Sequence, residues 1–199
     1  MNVVQPQMII FGGTFDPPHD GHVQCVKSAL KRFPKSRIVV MPAAVAPLRE
    51  EKTKNQYPFE ERLTLCQDKF SQLDTQRIAV SDFERTQPQP NYTYNTLQAW
   101  QKIYPEQEVA FLMGLDQFKN LDRWKDYQKL LRQFLLIVAR RHEIIEENIQ
   151  SHTYQQWIEN FIVKCGLKIS EIKGLIYLND VNSPESSSEI RKNFLKEHK

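Results

Sequence analysis

The chain has 199 residues, of which 40% are hydrophobic and 26% are charged, and its formal net charge is +3. This composition is typical of a globular protein with a buried core and predicts a single domain over residues 1–199. So small a net charge does not indicate a nucleic-acid partner, and no apolar run approaches the roughly 20 residues that cross a bilayer. The first residues lack the basic and apolar segments of a secretory signal, so the sequence predicts a cytoplasmic protein without a membrane or nucleic-acid partner. It leaves the oligomeric state open.

Strand and helix patterns alternate along the whole chain. Short continuous apolar runs are typical of strands buried on both faces of a parallel sheet. The predicted strands cover residues 8–11, 37–41, 77–83, 109–113, 134–139 and 174–178. The predicted helices cover residues 23–30, 58–73, 94–103, 143–165 and 189–197. This alternation predicts an α/β fold with a Rossmann-like, doubly wound parallel sheet flanked by helices.

Two stretches fit neither pattern. Residues 42–57 contain prolines and a charged run, which indicates a long loop that could close over a ligand. Residues 84–91 contain two prolines and are predicted to be irregular. The tripeptide Gly114-Leu115-Asp116 follows the fourth predicted strand directly and is expected to form a turn. Because ligands bind at the carboxyl ends of strands in open parallel sheets, the carboxylate of Asp116 is a candidate ligand contact.

One stretch near the start, residues 11–22, lies between the first predicted strand and the first predicted helix. It reads FGGTFDPPHDGH and holds three of the six glycines of the chain. A glycine-containing junction of this kind presents backbone N–H groups and the positive end of a helix dipole, which together attract phosphate. His19 and His22 flank Gly21, and each can donate a hydrogen bond to an anionic oxygen. The sequence therefore predicts an anion site here.

Other candidate residues have simpler interpretations. Cys25, Cys66 and Cys165 lie far apart among apolar neighbours, without metal-ligand spacing, and are predicted to be buried free thiols. Asp16 either makes a polar contact in its loop or holds that loop in shape, and the second interpretation is preferred. Trp124 lies in an irregular polar segment, where core packing and stacking on a ligand are both open.

The stretch GGTFDPPHDGH resembles the signature of the adenylyltransferases in the nucleotidyltransferase superfamily, which carry a [T/H]xGH motif. Further segments match, in order, the pattern of the bacterial nicotinate-nucleotide adenylyltransferases. These segments are Asn91-Tyr92-Thr93 with Thr96-Leu97, then Gly114-Leu115-Asp116, Trp124 and SSSEIR at residues 186–191. The resemblance covers essentially the whole chain. It implies an HxGH nucleotidyltransferase fold and the transfer of the adenylyl group of ATP to nicotinate mononucleotide, giving deamido-NAD and pyrophosphate in NAD biosynthesis.

The resemblance also implies roles on the ATP side of the site. His19, His22 and Arg191 are the implied catalytic residues: the histidines hold ATP phosphates, and Arg191 clamps the β- and γ-phosphates. The implied ATP-binding residues are Gly12, Gly13, Thr14, Phe15, Gly114, Asp116, Ser187 and Ser188. Among these, Asp116 binds a pair of ribose hydroxyls. Mg²⁺ is expected to accompany ATP, held mainly by phosphate and water, and no protein metal site is predicted.

On the acceptor side, the implied residues for nicotinate mononucleotide are Arg49, Tyr92, Thr93, Trp124 and Lys125. Trp124 offers a flat face to the pyridine ring. The family recognises the nicotinate carboxylate through backbone amides near Thr93 and just after Trp124, which implies the same contacts here.

Two segments depart from the family pattern. Ala46-Pro47-Leu48-Arg49 stands where PPHK or PPHR is usual, so a histidine is missing and the basic residue is kept. Glu185 stands where isoleucine is usual, and Ser188 replaces a threonine and keeps its hydroxyl. Leu48 leaves the details of mononucleotide binding open. The alternatives are a sister adenylyltransferase that acts on nicotinamide mononucleotide or phosphopantetheine, and a nucleotide-binding protein without turnover.

Overall fold

The computed structural model describes residues 5–45, 56–141 and 151–181. In these ranges six strands form one sheet in the order β3-β2-β1-β4-β5-β6, and every neighbouring pair is parallel. The strands are β1 (Met8–Gly13), β2 (Arg37–Pro42), β3 (Ile78–Val80), β4 (Val109–Gly114), β5 (Leu135–Arg141) and β6 (Leu175–Val181). The helices are α1 (Asp20–Arg32), α2 (Phe59–Phe70), α3 (Phe83–Thr86), α4 (Thr93–Ile103), α5 (Leu115–Phe118), α6 (Tyr127–Gln133) and α7 (Ser151–Lys164).

The sheet has an apolar layer on each face because its strands are buried on both sides. Ile9 and Phe11 of β1 pack in one cluster with residues of α1 and α2. Met8 and Ile10 alternate with them and pack on the opposite face with residues of α4, α6 and α7. The prediction of a doubly wound parallel sheet flanked by helices is confirmed.

The strand order reverses between β1 and β4. The chain runs from β1 outward to β2 and β3, and then returns to the other side of β1 as β4. Phe11 of β1 pairs with Leu112 of β4, so Gly12 and Gly13 end at the same edge of the sheet as Gly114. A crevice forms at such a switch point outside the carboxyl ends of the strands, and ligands of open α/β sheets bind there.

Several predicted elements are shorter or different in the structure. The third strand covers only Ile78–Val80 of the predicted residues 77–83, because Phe83 belongs to α3 and packs its ring on Trp100. The predicted irregular stretch 84–91 therefore begins inside a helical turn. The expected turn at Gly114-Leu115-Asp116 is a helix start, in which Gly114 is the N-cap of α5.

The remaining differences concern the second half of the chain. Helix α6 was not anticipated by the sequence pattern, since its seven residues are too few to show a helical period. Helix α7 occupies the carboxyl-terminal part of the predicted residues 143–165, and residues 142–150 lie outside the described ranges. The final predicted helix, residues 189–197, also lies outside them. All three cysteines are buried free thiols, as predicted. Among the described helices, none has the length and apolar character needed to cross a membrane.

Candidate active site

The two histidines of the HxGH motif form the start of α1. His19 is the N-cap residue, and its Nδ1 accepts the N–H of Gly21 at 3.1 Å. His22 returns the contact, since its Nδ1 accepts the N–H of His19 at 3.2 Å. This is a reciprocal capping box in which two imidazoles take the places that a serine and a glutamate usually occupy. The sequence spacing HxGH is therefore also a helix-start signal.

These hydrogen bonds decide which ring nitrogen carries a proton. A ring nitrogen that accepts a backbone N–H has no hydrogen of its own, so each neutral imidazole carries its hydrogen on Nε2. The two ring centroids lie 3.8 Å apart with the planes tilted by 41°. Both side chains are buried, with 2% of His19 and 9% of His22 exposed. The helix cap thus fixes the direction of both Nε2–H groups at the junction of the glycine loop and α1.

Phe15 shapes the loop that leads to the histidines. It is buried and has a φ of 48°, in the left-handed region that a bulky side chain rarely adopts. Such a conformation costs about 1–3 kcal/mol and persists only where the surroundings hold it. The Phe15 ring contacts His22 at 4.8 Å and Phe11 at 5.2 Å between centroids, both edge to face. The position of His22 is therefore linked to the backbone conformation of Phe15.

Gly12 lies where the sheet leaves no room for a side chain. A Cβ there would lie 2.7 Å from Cε2 of Phe111 on the neighbouring strand β4. The Phe111 ring in turn packs edge to face on Trp124, with centroids 6.1 Å apart. Trp124 is half-buried and follows a 3₁₀ turn at Leu121–Arg123. Phe111 thus connects the glycine loop to the residue that was predicted to stack on the pyridine ring.

Arg62 of α2 is a buried cation that joins three backbone segments. Its Nη1 donates to the carbonyl of Thr14 at 2.6 Å and its Nη2 to that of Ala43 at 2.9 Å. Its Nε donates to the carbonyl of Tyr57 at 3.2 Å. Only 1% of the residue is exposed. The loop after β1 and both ends of the segment between β2 and α2 are therefore fixed to one guanidinium.

Asp16 joins the same two loops. Its carboxylate oxygens accept the N–H groups of Gln56 and Tyr57, each at 3.0 Å. The preferred sequence interpretation gave Asp16 a structural role inside its own loop. The structure shows that Asp16 also contacts the segment before α2.

Glu84 in α3 makes a comparable bridge. Its Oε2 accepts the N–H of Ala44 and its Oε1 the hydroxyl of Thr96, each at 3.1 Å. Burial raises the pKa of this carboxyl, and the two hydrogen bonds and the charge of Arg62 oppose that rise in part.

Of the residues predicted for the acceptor, the structure describes Tyr92 and Thr93 at the start of α4, and Trp124 and Lys125 after the 3₁₀ turn Leu121–Arg123. Tyr92 is the N-cap of α4, and Thr93 is its first residue. Lys125 is exposed and places its Nζ 4.6 Å from the centroid of the Tyr92 ring, a cation–π contact. This contact brings together the segment that carries Trp124 and the start of α4.

A family model described as cytidylyltransferase-like matches residues 10–193 of the chain. The chain belongs to the cytidylyltransferase-like family. The family resemblance inferred from the motifs is thereby confirmed.

Curated relatives of this cytidylyltransferase-like chain carry the name "Probable nicotinate-nucleotide adenylyltransferase". The protein of that name from Leptospira interrogans is 36% identical over 144 residues, which are 72% of this chain and 70% of the relative. The one from Salmonella gallinarum is 33% identical over 171 residues, which are 85% of this chain and 78% of the relative.

Solved structures show the same fold. The nicotinic acid mononucleotide adenylyltransferase of Plasmodium falciparum complexed with NaAD aligns with a TM-score of 0.65 at 19% identity, over 96% of this chain and 88% of that one. Its complex with APC aligns with a TM-score of 0.64 at 18% identity, over 94% of this chain and 83% of that one.

In this cytidylyltransferase-like chain, the predicted ATP-side residues that the structure describes lie at one edge of the sheet. Gly12 and Gly13 end β1, the histidines begin α1, and Gly114 ends β4. Asp116 is exposed in the first turn of α5, and its Oδ2 accepts the Nε2–H of Gln117 at 3.0 Å. Four predicted residues lie outside the described ranges: Arg49, Ser187, Ser188 and Arg191.

Sequence reasoning missed three residues that shape the site: Arg62, Glu84 and Phe111. For Arg62 a signal existed, because it shares the buried face of α2 with Cys66 and Phe70 at spacings of four. A charged residue on the apolar face of a helix indicates a specific buried partner. Glu84 and Phe111 carry no comparable signal.

Proposed function

We propose that this chain transfers the adenylyl group of ATP to nicotinate mononucleotide and releases deamido-NAD and pyrophosphate. The observation that carries the proposal is the capped pair His19 and His22, whose two Nε2–H donors lie beside a glycine loop at the switch point of the sheet. The names of the curated relatives support the acceptor. The chain is thus a nucleotidyltransferase of NAD biosynthesis.

The reaction needs alignment and charge stabilisation more than proton transfer. The nucleophile is the phosphate of the mononucleotide, which is largely ionised at pH 7 because its second pKa is about 6. It attacks the α-phosphorus of ATP, the new P–O bond forms, and the bond to pyrophosphate breaks on the opposite side. No serine, cysteine or general base is required. Catalysis therefore depends on holding two phosphates in line and on stabilising the negative charge that develops.

The histidine pair supplies donors where that charge develops. In this proposal His22 donates from Nε2 to the α-phosphate, and His19 donates to the neighbouring phosphates. Because both rings are fixed through Nδ1 by the helix cap, the donors need no reorganisation during the reaction. The N–H groups at the start of α1 add to the positive potential.

The other ATP contacts follow the family pattern. Arg191, Ser187 and Ser188 bind the β- and γ-phosphates, while Gly12, Gly13, Thr14 and Phe15 form the loop against the nucleotide. Gly114 and Asp116 contact the ATP ribose. Mg²⁺ bound with ATP would offset charge on the triphosphate, and it would be held mainly by phosphate oxygens and water because it dehydrates reluctantly. Within the ranges that the structure describes, no three His, Cys, Asp or Glu side chains are grouped as a metal site.

The acceptor lies against the Trp124 segment in this proposal. The indole ring stacks on the pyridine, and backbone amides near Thr93 and Lys125 bind the nicotinate carboxylate. The Tyr92–Lys125 contact supports this arrangement, because it holds those two segments next to each other. Arg49 adds a basic group for the phosphate of the mononucleotide.

Pyrophosphate release from ATP, measured with purified protein and one acceptor at a time, tests the proposal. The acceptors are nicotinate mononucleotide, nicotinamide mononucleotide and phosphopantetheine, each with Mg²⁺ present. We expect the highest kcat/KM with nicotinate mononucleotide. Pyrophosphate release with only one of the other two acceptors would assign a sister reaction. ATP binding without pyrophosphate release, whichever acceptor is added, would indicate a nucleotide-binding protein without turnover.

A further inference from the structure

We propose that Arg62 is a positioning residue for adenylyl transfer, whose guanidinium holds the loop after β1 in the conformation that presents His22 to the reacting phosphate. This inference rests on the proposed function and assigns the reaction a residue that does not touch substrate. Arg62 lies in α2, outside the motifs that indicate the family.

The first observation is the unusual environment of Arg62. Arginine is almost never fully buried, yet this residue is 1% exposed. Its Nε, Nη1 and Nη2 each donate to a backbone carbonyl, those of Tyr57, Thr14 and Ala43 respectively. These carbonyls lie in the loop after β1 and at the two ends of the segment between β2 and α2. A buried cation that contacts all three fixes the distances between them.

The shape of the guanidinium explains why arginine serves here. Its planar fork presents five N–H donors in fixed directions, so Nε, Nη1 and Nη2 can each reach a different carbonyl. A lysine ammonium carries the same charge but is a single point on a flexible stem. Lysine at this position would keep one contact and leave other carbonyls without their donor in a buried setting, which is costly.

A short chain of contacts connects Arg62 with His22. The Thr14 carbonyl that Arg62 binds belongs to the peptide unit that leads into Phe15. Phe15 is held at a φ of 48°, and its ring packs against the His22 imidazole with centroids 4.8 Å apart. If the Thr14 carbonyl loses its donor, the backbone at Phe15 is no longer fixed and the His22 ring loses its neighbour. Displacement by about 1 Å at a reacting centre can cost about 100-fold in rate.

The test compares Arg62→Met and Arg62→Lys with wild type in the pyrophosphate assay. We expect kcat to fall by about 10- to 100-fold in Arg62→Met, with Arg62→Lys between that variant and wild type. The KM for ATP should change much less, because the phosphate contacts of the ground state remain. The wild-type assay decides the proposed function on its own, so a failure of that function is distinguishable from a failure of this inference.

Arg77 provides a matched control. It also donates to a distant backbone carbonyl, that of Pro34 at 3.0 Å, but at the opposite edge of the sheet from the site. Arg77→Met therefore removes a contact to a distant carbonyl together with the ion pair to Asp74, and its kcat should stay within about twofold of wild type. The stoichiometry of ATP binding, measured by calorimetry, establishes that each variant is folded at the assay temperature.

A double-mutant cycle separates positioning from a general loss of structure. If Arg62 acts through His22, then Arg62→Met should add little to the loss already caused by His22→Ala. The combination of Arg77→Met with His22→Ala should instead show independent effects. A fully multiplicative loss for Arg62→Met with His22→Ala, or a kcat within threefold of wild type in folded Arg62→Met, would overturn the proposal. If Arg62→Met does not fold, Arg62→Lys takes its place in the cycle, and wild-type kcat in that variant would equally overturn it.

Discussion

His22 uses its two ring nitrogens for different purposes. Nδ1 accepts the backbone N–H of His19 and so stabilises the start of α1, while Nε2 is the donor that we assign to the α-phosphate of ATP. We expect His22→Ala to lower kcat by about 100-fold or more, the usual effect of removing one oriented transition-state donor. Pyrophosphate release at saturating substrates measures this loss.

His22→Asn is the matched control for the helix cap. The Asn Oδ1 can take the place of Nδ1 and accept the N–H of His19, but asparagine has no atom at the place of Nε2. We therefore expect His22→Asn to keep more of the thermal stability than His22→Ala and to be equally poor in turnover. Activity near that of wild type in either variant would contradict the assigned role.

The proposed role of Trp124 concerns the acceptor and not ATP. Its indole is half-buried against Phe111, which fixes the orientation of the ring. We expect Trp124→Ala to raise the KM for nicotinate mononucleotide about tenfold or more and to change that for ATP far less, because stacking on one ring is worth about 1–3 kcal/mol. Trp124→Phe retains an aromatic face, so its KM for nicotinate mononucleotide should lie between those of wild type and Trp124→Ala. Equal losses for both substrates would argue against stacking on the pyridine ring.

Some residues of the candidate site could be predicted from the sequence and others could not, and the reason is physical. His19, His22 and Trp124 belong to local patterns in which spacing, glycines and strand ends already specify their surroundings. Arg62 contacts Thr14 from 48 positions away, so only the packed fold brings the two together. The left-handed φ of Phe15 cannot be predicted from the sequence either, because tertiary packing and not residue propensity selects it.

The short helix α3 connects the carboxyl end of β2 to α4 through one carboxylate. Glu84 accepts hydrogen bonds from Ala44 and Thr96, and burial raises its pKa above the ordinary value of 4.5. Above pH 4.5 the unfolded chain releases this proton first, while the folded protein keeps it up to its own higher pKa. The folded state thus binds more protons in that interval, so this group makes the free energy of unfolding fall as pH rises.

Glu84→Gln isolates that contribution. We expect the free energy of unfolding of wild type relative to Glu84→Gln to decrease as pH rises from 4.5 to the raised folded pKa, and to be level above it. Urea unfolding at a series of pH values measures this difference. In Thr96→Val the hydroxyl that stabilises the carboxylate is absent, so the decline should extend to higher pH. A difference that rises with pH would show that the folded pKa of Glu84 is depressed.

Local patterns predicted the central strands well and the short elements poorly. The runs that became β1, β2 and β4 are continuous and buried on both faces, so their position follows from composition alone. The edge strand β3 keeps only three residues, because beyond Val80 the chain turns to place Phe83 on Trp100. Helix α5 has four residues and begins at the strand end, where a turn and a first helical turn look the same in sequence.

The parallel sheet divides the apolar interior into two layers that share the same strands. Leu112 of β4 is fully buried in the layer that contains α1 and α2, and Leu97 of α4 is fully buried in the opposite one. Since neighbouring residues of one strand supply both layers, neither layer can lose its packing while the other keeps its own. The single domain over residues 1–199 stays a prediction, and this geometry gives it a test within the described ranges.

Leu112→Ala and Leu97→Ala test that cooperativity from the two sides. Each substitution removes a buried side chain and should lower the free energy of unfolding by about 2–5 kcal/mol. For a chain of this length, each kcal/mol corresponds to about 2–4 °C in Tm. Calorimetry should show one transition in both variants, shifted as a whole, with the calorimetric enthalpy equal to the van't Hoff enthalpy. A second transition that moves in only one variant would show that the two layers unfold separately and that the chain holds more than one cooperative unit.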